Sequence, residues 1–151
     1  MNDTQRLVIE NECRRLTILY CQHLDELNPE AFANIYTEDA LYKPAAEPVP
    51  IIGREKILEW INRYPKHRLG RHCATNQLVN VIDENNATGS SYAVVFREPN
   101  PQPGVLSSRV TPRSFAQYTD KYRRTPEGWL IASRTYQVHF MQEEETRRPI
   151  G

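Results

Sequence analysis

The hydrophobic pattern of the chain changes from helical to β between residues 64 and 72, and this change limits the folds that it can adopt. Apolar residues before the change recur every three or four positions, whereas those after it lie in long runs separated by turn residues. Helices followed by antiparallel strands are typical of α+β domains, in which the helices pack on one face of the sheet. At 151 residues the chain is long enough for a core of its own, and we predict a single domain over 1–151.

The longest predicted helix runs from Thr4 to Leu27. Asp3 or Thr4 is expected to cap its start, because short polar side chains accept hydrogen bonds from the first free backbone N–H groups. Its apolar residues return every three to four positions and are expected to face the core. These residues are Ile9, Cys13, Leu16, Tyr20 and Leu24.

Two shorter helices and a short strand complete the first half. Asn28 and Pro29 start the second helix, since Asn caps helices and Pro is favoured at the first helical position. The third helix is predicted over 54–64. Between them we expect a short strand over 40–43 and an irregular, proline-rich loop over 44–50.

Four long strands are predicted in the second half. Each neighbouring pair is joined by a turn rich in Asn, Pro or Gly, and a loop with three prolines separates the two pairs. The sequence therefore predicts an antiparallel meander that forms one curved sheet. The strand ranges are 72–83, 88–97, 113–124 and 129–140.

The charge of the chain does not favour a nucleic-acid or membrane partner. Nineteen basic and nineteen acidic side chains cancel, and the basic ones are scattered along the sequence. No apolar run approaches the roughly 20 residues that a membrane span requires, and the N-terminal segment lacks the continuous apolar stretch of a secretory signal. We therefore expect a cytoplasmic protein whose partner is a small molecule.

Three cysteines, Cys13, Cys21 and Cys73, are an odd number without the spacing of a metal site. We expect reduced, mostly buried thiols, as in other cytosolic proteins. No set of His, Asp and Glu has metal-ligand spacing, and no glycine-rich phosphate loop or dinucleotide fingerprint is present. The sequence therefore predicts neither a metal nor a cofactor.

Four polar residues of the first half form the candidate catalytic set: Tyr20, Asp25, Tyr42 and His72. A His and a carboxylate that meet in an apolar pocket make a general base with an orienting partner. Neighbouring phenols can hold or polarise a carbonyl or hydroxyl group of a substrate. Two alternatives stay open: Tyr20 also fits the apolar face of the first helix as a core residue, and Asp25 also fits a helix end near Asn28.

Four further residues are predicted to contact the substrate. Asn76 lies four residues after His72 and is expected on the same face of the strand. Arg134 is a candidate anion anchor, although surface ion pairing is the commoner fate of such residues. Trp60 on the third helix and Tyr118 on the third long strand complete the predicted substrate-binding set.

Four segments carry a family resemblance. They read YCQHLDELNPEAFANIYTEDALY, IIGREKILEWI, RHCATNQLVNV and QYTDKYRRTPEGWLIASRTYQVHF. Their order and content resemble the SnoaL-like branch of the nuclear transport factor 2-like superfamily, over about residues 5–141. The resemblance implies a cystatin-like cone of the α+β class, with three N-terminal helices packed on a curved antiparallel sheet around one apolar pocket.

The resemblance also implies roles for the catalytic set. Scytalone dehydratase, bile-acid 7α-dehydratase and lindane dehydrochlorinase use a His on the first long strand and an Asp near the end of the first helix, which match His72 and Asp25. The two dehydratases add tyrosines on the short strand and on the helix, to which Tyr42 and Tyr20 correspond. A second His that scytalone dehydratase has on the next strand is absent over 88–97. The acid–base pair is thus expected to be retained with a different recognition of substrate.

The residues and the resemblance together predict a cofactor-independent lyase that eliminates water from a small cyclic organic molecule. Two alternatives stay open: an isomerase or polyketide-type cyclase with the same base, and a non-catalytic module that binds a small molecule. We also expect a homo-oligomer, a dimer or a trimer, that forms through the open face of the sheet. The apolar area there is assigned to Tyr92, Phe96, Phe115 and Trp129.

Overall fold

Three helices lie against one six-stranded sheet in the computed structural model, which describes residues 1–142. The predicted α+β class is confirmed, as is the order of helix, short helix, strand, helix and four long strands. In chain order the elements are α1 (Asp3–Asp25), α2 (Pro29–Asn34), β1 (Tyr36–Lys43), β2 (Ile51–Ile52), α3 (Arg54–Asn62), β3 (Leu69–Val81), β4 (Asn86–Glu98), β5 (Ser114–Thr125) and β6 (Gly128–Met141).

The sheet is open, with its strands in the order β2-β1-β6-β5-β4-β3. Neighbouring strands of the sheet run antiparallel, except that β1 and β6 are parallel to each other. The sheet is therefore a mixed one. The backbone N–H of Ile131 donates to the carbonyl of Ile35 at 2.9 Å, immediately before β1. This bond places the start of β1 beside β6.

Helix α1 buries the apolar face that the sequence predicts, against the inner surface of the sheet. Burial of one such side chain contributes roughly 1.5–3 kcal/mol relative to leaving it exposed, so this face is the main attachment of the helix. Within residues 1–142, neither α1 nor a shorter helix is long and apolar enough to cross a membrane. The buried residues of the predicted face are Ile9, Cys13, Leu16, Tyr20 and Leu24.

The caps of the first two helices differ in how well the sequence predicts them. Asn2, not Asp3 or Thr4, caps α1: its side chain accepts from the backbone N–H of Gln5, whose side chain accepts in return from the Asn2 backbone N–H. This reciprocal pair satisfies two donors at once, which a single cap at Asp3 or Thr4 does not. Asn28 caps α2 as predicted and accepts from the N–H of the third residue after it at 3.2 Å.

Element boundaries in the first half shift by a few residues. Strand β1 begins at Tyr36, earlier than the predicted 40–43, because β6 supplies a pairing partner from Tyr36 onward. Helix α3 ends at Asn62 instead of Tyr64. The two residues of β2 pair with β1 and were not predicted, since a pair of isoleucines after a proline-rich loop carries no strand periodicity.

Small residues at the centre of the inner sheet surface let the tyrosines lie close to the backbone. Ala93 and Ala116 are completely buried and pair across β4 and β5. A Cβ atom on Gly89 would lie 2.8 Å from a ring carbon of Tyr122, so the ring occupies the space that a larger residue would need. The curved sheet and the helices leave a pocket at one end of this surface.

Candidate active site

The pocket has a volume of about 210 Å³ and is bounded by α1, α3, the loop after β1 and the inner surface of the sheet. Its floor is aromatic: Tyr20, Tyr42 and Tyr118 are each less than 5% exposed and all line it. Trp60 of α3 forms a wall, and its Nε1 donates to Oε1 of Glu47 at 2.9 Å. The pocket is therefore a largely apolar recess in which a few polar groups converge, as in sites for small molecules.

Asp25 holds His72 through two hydrogen bonds. Its Oδ1 lies 2.6 Å from the ring Nδ1, and its Oδ2 accepts from the His72 backbone N–H at 2.9 Å. The side chains are only 13% and 9% exposed, so water competes little for this contact. Asp25 is the last residue of α1, and His72 lies on β3, against which that helix packs. With Nδ1 engaged, Nε2 is the ring nitrogen left to face a ligand, since His72 lines the pocket.

Tyr20 and Asp25 leave α1 in different directions. Five residues separate them along α1, which is about 140° around a helix of roughly 3.6 residues per turn. Tyr20 accordingly points into the pocket, whereas Asp25 does not line it and contacts His72 from behind. The spacing that separates them on the helix therefore suits a substrate-facing phenol and an orienting carboxylate.

Tyr20 and Tyr42 form a hydrogen-bonded pair of phenols, with 2.9 Å between the hydroxyl oxygens. Burial raises the pKa of Tyr20 and that of Tyr42 above the ordinary value for tyrosine. Both hydroxyls thus stay protonated at neutral pH and serve as hydrogen-bond donors, not as bases. Because one of them donates to the other, one O–H of the pair is left for a ligand.

Arg134 is completely buried beneath the pocket, and the prediction that it anchors an anionic substrate is wrong. Its Nε and Nη2 donate to the two carboxylate oxygens of Asp120, each at 2.7 Å, and Nη2 also donates to Thr17 at 2.8 Å. Asp120 faces it directly across the β5–β6 pair, which draws the guanidinium into the core. Its guanidinium carbon lies 4.4 and 4.5 Å from the ring centres of Tyr20 and Tyr118.

The buried guanidinium is a fixed positive charge below the aromatic floor. Burial by itself would lower the pKa of Arg134, but the adjacent Asp120 carboxylate outweighs this and raises the pKa well above its ordinary value. The charge partly opposes the effect of burial on the neighbouring phenol, since it lowers the pKa of Tyr20. Arg134 therefore influences the pocket through the two rings that cover it.

Asn76 does not share a face with His72, contrary to the sequence prediction. The register of β3 against β4 shifts between Thr75 and Leu78, and Asn76 adopts a left-handed conformation with φ of 52°. A bulge of this kind interrupts the alternation of side chains along a strand. Asn76 is exposed and does not line the pocket, whereas the predicted contact residues Trp60 and Tyr118 do.

Several polar residues of the pocket have no signal in the sequence. They come from separate segments without a common motif, so only the fold brings them together. Burial raises the pKa of Tyr136, and nearby arginines oppose that shift. Within residues 1–142 no group of three or more His, Cys, Asp or Glu is placed to hold a metal ion. The additional polar residues are Glu47, Arg63, Tyr64, Arg68, Arg97, Arg113 and Tyr136.

Solved structures with the same fold include proteins of known and unknown activity. A scytalone dehydratase-like protein from Novosphingobium aromaticivorans superposes with a TM-score of 0.76 at 20% identity, over 94% of this chain and 91% of its own. Hexachlorocyclohexane dehydrochlorinase (LinA) type 2 superposes with a TM-score of 0.75 at 16% identity, over 93% of this chain and 92% of its own. An NTF2-like protein with a cystatin-like fold, also from N. aromaticivorans, superposes with a TM-score of 0.71 at 22% identity, over 92% of this chain and 88% of its own. These likenesses establish the cystatin-like, NTF2-like fold.

The family of the chain follows from its sequence match. No curated protein sequence matches the chain. The model of the SnoaL-like domain, however, matches residues 5–135, from the first turn of α1 into β6. Since this match spans most of the 151 residues, the chain belongs to the SnoaL-like domain family.

Proposed function

We propose that this protein is a cofactor-independent lyase that eliminates water or a similar leaving group from a small cyclic organic molecule. His72 Nε2 takes a proton from a carbon next to an electron-withdrawing group. The electrons of that C–H bond form a C=C bond, and the bond to the hydroxyl on the neighbouring carbon breaks. The hydroxide leaves as water after it receives a proton from the imidazolium or from an adjacent donor.

The double contact of Asp25 with His72 is the observation that carries this proposal. A carboxylate on Nδ1 keeps the proton on that nitrogen, so Nε2 presents its lone pair to the pocket. The same carboxylate stabilises the imidazolium that forms when Nε2 takes a proton. Because Asp25 also binds the backbone of His72, the ring is held before a substrate arrives.

The tyrosine pair is proposed to hold the group that becomes negative during the reaction. Its free O–H donates to a carbonyl oxygen as an enolate develops, and the raised pKa values keep the phenols protonated while they do so. The positive charge of Arg134, which lies against the rings of Tyr20 and Tyr118, favours the same negative charge. This division leaves the base on one wall of the pocket and the donors on its floor.

The similarity to a scytalone dehydratase-like protein and to a hexachlorocyclohexane dehydrochlorinase supports elimination as the reaction type. It is an analogy at the level of fold, because one fold hosts many activities. The same base would also serve an isomerase or a polyketide-type cyclase. Analysis of the products separates these, since only elimination releases water or halide.

A panel of cyclic β-hydroxyketones and hexachlorocyclohexane tests the proposal. Formation of the conjugated enone is followed by its ultraviolet absorption, and chloride release by ion-selective electrode. His72→Gln is expected to lower turnover by about 10²–10⁴-fold, the usual contribution of a general base. His139→Gln serves as the control, because His139 is exposed and does not line the pocket. Turnover of a panel member that survives in His72→Gln would contradict the assignment of the base.

We also propose that two copies of the chain pair through the outer face of the sheet. Tyr92, Phe115 and Phe140 form a row of rings there, with centres 5.3 and 5.9 Å apart, and Phe140 is 70% exposed. Trp129, which was also assigned to this face, belongs instead to the core and is only 9% exposed. Light scattering of the wild type and of Phe140→Glu tests the proposal, and an unchanged mass in the variant would contradict it.

A cytoplasmic location is proposed from the cysteines. Cys13, Cys21 and Cys73 are all free thiols, and proteins with unpaired thiols are typical of reducing compartments. Fractionation of cells that express the tagged chain tests this assignment, and recovery outside the cytoplasm would contradict it.

A further inference from the structure

A second cavity lies beside the pocket of the candidate active site, between α3, β2 and the loop that joins β1 to β2. Its volume is about 250 Å³, and that of the pocket is about 210 Å³. Glu47, Trp60 and Arg63 line both cavities, so their side chains form the wall between the two. Arg63 is exposed, whereas Glu47 and Trp60 are half-buried. We call the side chains of Glu47 and Trp60 the partition.

Aromatic neighbours hold the indole of Trp60 in the partition. Its ring centre lies 5.3 Å from that of Tyr42, edge-on at 77°, and 5.6 Å from that of Tyr64. Aromatic pairs at such distances stabilise each other beyond the area that they bury. The helix that carries Trp60 is itself anchored, because Ile57 and Ile61 are buried in the core. The indole therefore has little freedom to rotate out of the wall.

Glu47 holds the other edge of the same indole. Its Oε1 accepts from Nε1 of Trp60 at 2.9 Å. The backbone of Glu47 is fixed in turn, because its N–H donates to the Pro44 carbonyl at 3.3 Å and its own carbonyl accepts from Nζ of Lys43. Three prolines in 44–50 further restrict the backbone of this loop. The partition is therefore closed before a ligand arrives.

The partition limits the space on the side of the pocket that faces α3. A cavity of about 150 Å³ accommodates benzene, and the pocket measures about 210 Å³. One six-membered ring with small substituents therefore fits on the aromatic floor, and the remaining space is too small for a fused second ring. A second ring directed towards α3 would meet the indole of Trp60.

The second cavity could take that ring if the partition were absent. Pro50, Ile51 and Ile52 supply apolar surface there, opposite the exposed Lys56 and Glu59 of α3. Joined, the two cavities would offer more than twice the volume of the pocket alone. The size of the ligand is thus decided by the wall and not by a lack of space behind it.

We propose that Trp60, held in place by Glu47, limits the ligand of the pocket to a single ring. Trp60 is the specificity-determining residue, because its indole occupies the position of a second ring. Glu47 is a positioning residue that acts through the indole. As an assignment of substrate, a monocyclic compound, this rests on the proposed lyase function, but the selection by size requires no turnover.

Two neutral probes that differ by one fused ring, benzamide and 2-naphthamide, test the inference. Chemical-shift titrations of the ¹⁵N-labelled protein measure both affinities, and their ratio is the readout, since a loss of folded protein lowers both together. The wild type is expected to bind benzamide at least as tightly as 2-naphthamide. In Trp60→Ala we expect 2-naphthamide to bind about tenfold more tightly than benzamide, because the second ring is then buried in the joined cavity.

Tyr64→Ala is the matched control, because Tyr64 is an aromatic residue that lines the pocket but not the second cavity. It is expected to leave the ratio of the two affinities near its wild-type value. A rise as large as that in Trp60→Ala would overturn the role of the partition, since any loss of an aromatic wall would then admit the second ring.

Two substitutions of Glu47 test the hydrogen bond and leave the indole in place. Glu47→Gln keeps a side-chain oxygen that can accept from Nε1 of Trp60, so the wild-type ratio is expected. Glu47→Ala removes the acceptor and is expected to raise the relative affinity for 2-naphthamide about three- to tenfold, the usual contribution of one hydrogen bond. Glu47 lies in a loop, so this pair remains informative if Trp60→Ala folds poorly, which circular dichroism shows.

Three binding results would overturn the inference. They are a wild type that prefers 2-naphthamide about tenfold, a wild type that binds neither probe, and a ratio that is unchanged in both Trp60→Ala and Glu47→Ala. His72→Gln is expected to keep the wild-type ratio, because the limit does not depend on the proposed base.

Turnover separates the failure of this inference from that of the proposed function. A wild type that dehydrates bicyclic and monocyclic β-hydroxyketones equally well loses the limit to one ring and keeps the lyase assignment. A chain that selects benzamide through the partition but eliminates from no ketone keeps the limit and loses the lyase assignment.

Discussion

The carboxylate of Asp25 binds His72 at two points, its backbone N–H at 2.9 Å and its ring Nδ1 at 2.6 Å. One oxygen therefore joins the backbone of β3 to the end of α1, and the other joins the imidazole ring to the same carboxylate. Because the backbone bond already uses one oxygen, the second has a set position relative to the imidazole. The orientation of the proposed base is thus determined by the packing of α1 on β3 and does not depend on a ligand.

The three cysteines are expected to differ sharply towards thiol reagents. Burial raises the pKa of Cys13 to about 12 and that of Cys21 to about 11, whereas Cys73 is exposed. At pH 8 a buried thiol with so high a pKa is almost wholly protonated and unreactive. Ellman's reagent is therefore expected to modify one thiol in the folded protein and three after unfolding in urea. Rapid reaction of a second thiol in the folded state would contradict the burial of the pair.

The ion pair of Arg134 and Asp120 is expected to be sensitive to loss of one partner. Asp120→Asn leaves a guanidinium completely buried without its counter-charge, which costs about 3–5 kcal/mol in the free energy of unfolding. Asp39→Asn is the matched control, because the pair of Asp39 with Arg123 is exposed and should contribute about 1 kcal/mol or less. Urea unfolding of both variants measures the difference. Similar small losses in the two would show that the buried charge is compensated in another way.

The fold is expected to lose stability in alkali through its tyrosines. Burial raises the pKa of Tyr20, Tyr36, Tyr42, Tyr118, Tyr122 and Tyr136, which are six of the eight tyrosines. An unfolded tyrosine releases its proton near pH 10, so above that pH the unfolded state binds fewer protons than the folded state. Their contribution to the free energy of unfolding is therefore full below about pH 10 and falls as the pH rises further.

Tyrosinate absorption at 295 nm measures this effect. At pH 11, before unfolding, we expect ionisation of fewer than half of the eight tyrosines, and a sharp rise when the chain unfolds. Tyr92→Phe is the control, since Tyr92 is 38% exposed and lies on the outer face of the sheet. A smooth titration of all eight in the folded protein would contradict the burial of the pocket floor.

Periodicity predicts the parts of this fold that follow from a single element. The apolar residues of α1 have regular spacing over many residues, and each position that this spacing predicts to be buried is buried. The predicted position of Asn76 is wrong because it assumes a regular strand. The bulge in β3 breaks the alternation of side chains on which that prediction depends. A bulge of one residue leaves little trace in a sequence.

Contacts between distant elements explain the remaining differences. Arg134 looks like a surface residue until the register of β5 and β6 brings Asp120 opposite it. The polar residues of the pocket that carry no sequence signal come from separate loops and from β4 and β6, and no local pattern joins them. The residue types and the family resemblance predict that Asp25 pairs with His72. The structure adds that one carboxylate binds both the ring and the backbone.

The tautomer of the His72 ring tests the central claim most directly. In ¹⁵N NMR spectra at pH 9, where His72→Gln identifies the signals among the four histidines, we expect Nδ1 to carry the proton and Nε2 to be bare. In Asp25→Asn the amide oxygen is needed by the His72 backbone N–H, so the amide N–H₂ faces Nδ1 and the proton should move to Nε2. A wild-type ring protonated on Nε2, or the same tautomer in both proteins, would contradict the account, because Nε2 would then have no lone pair to take a proton from a substrate.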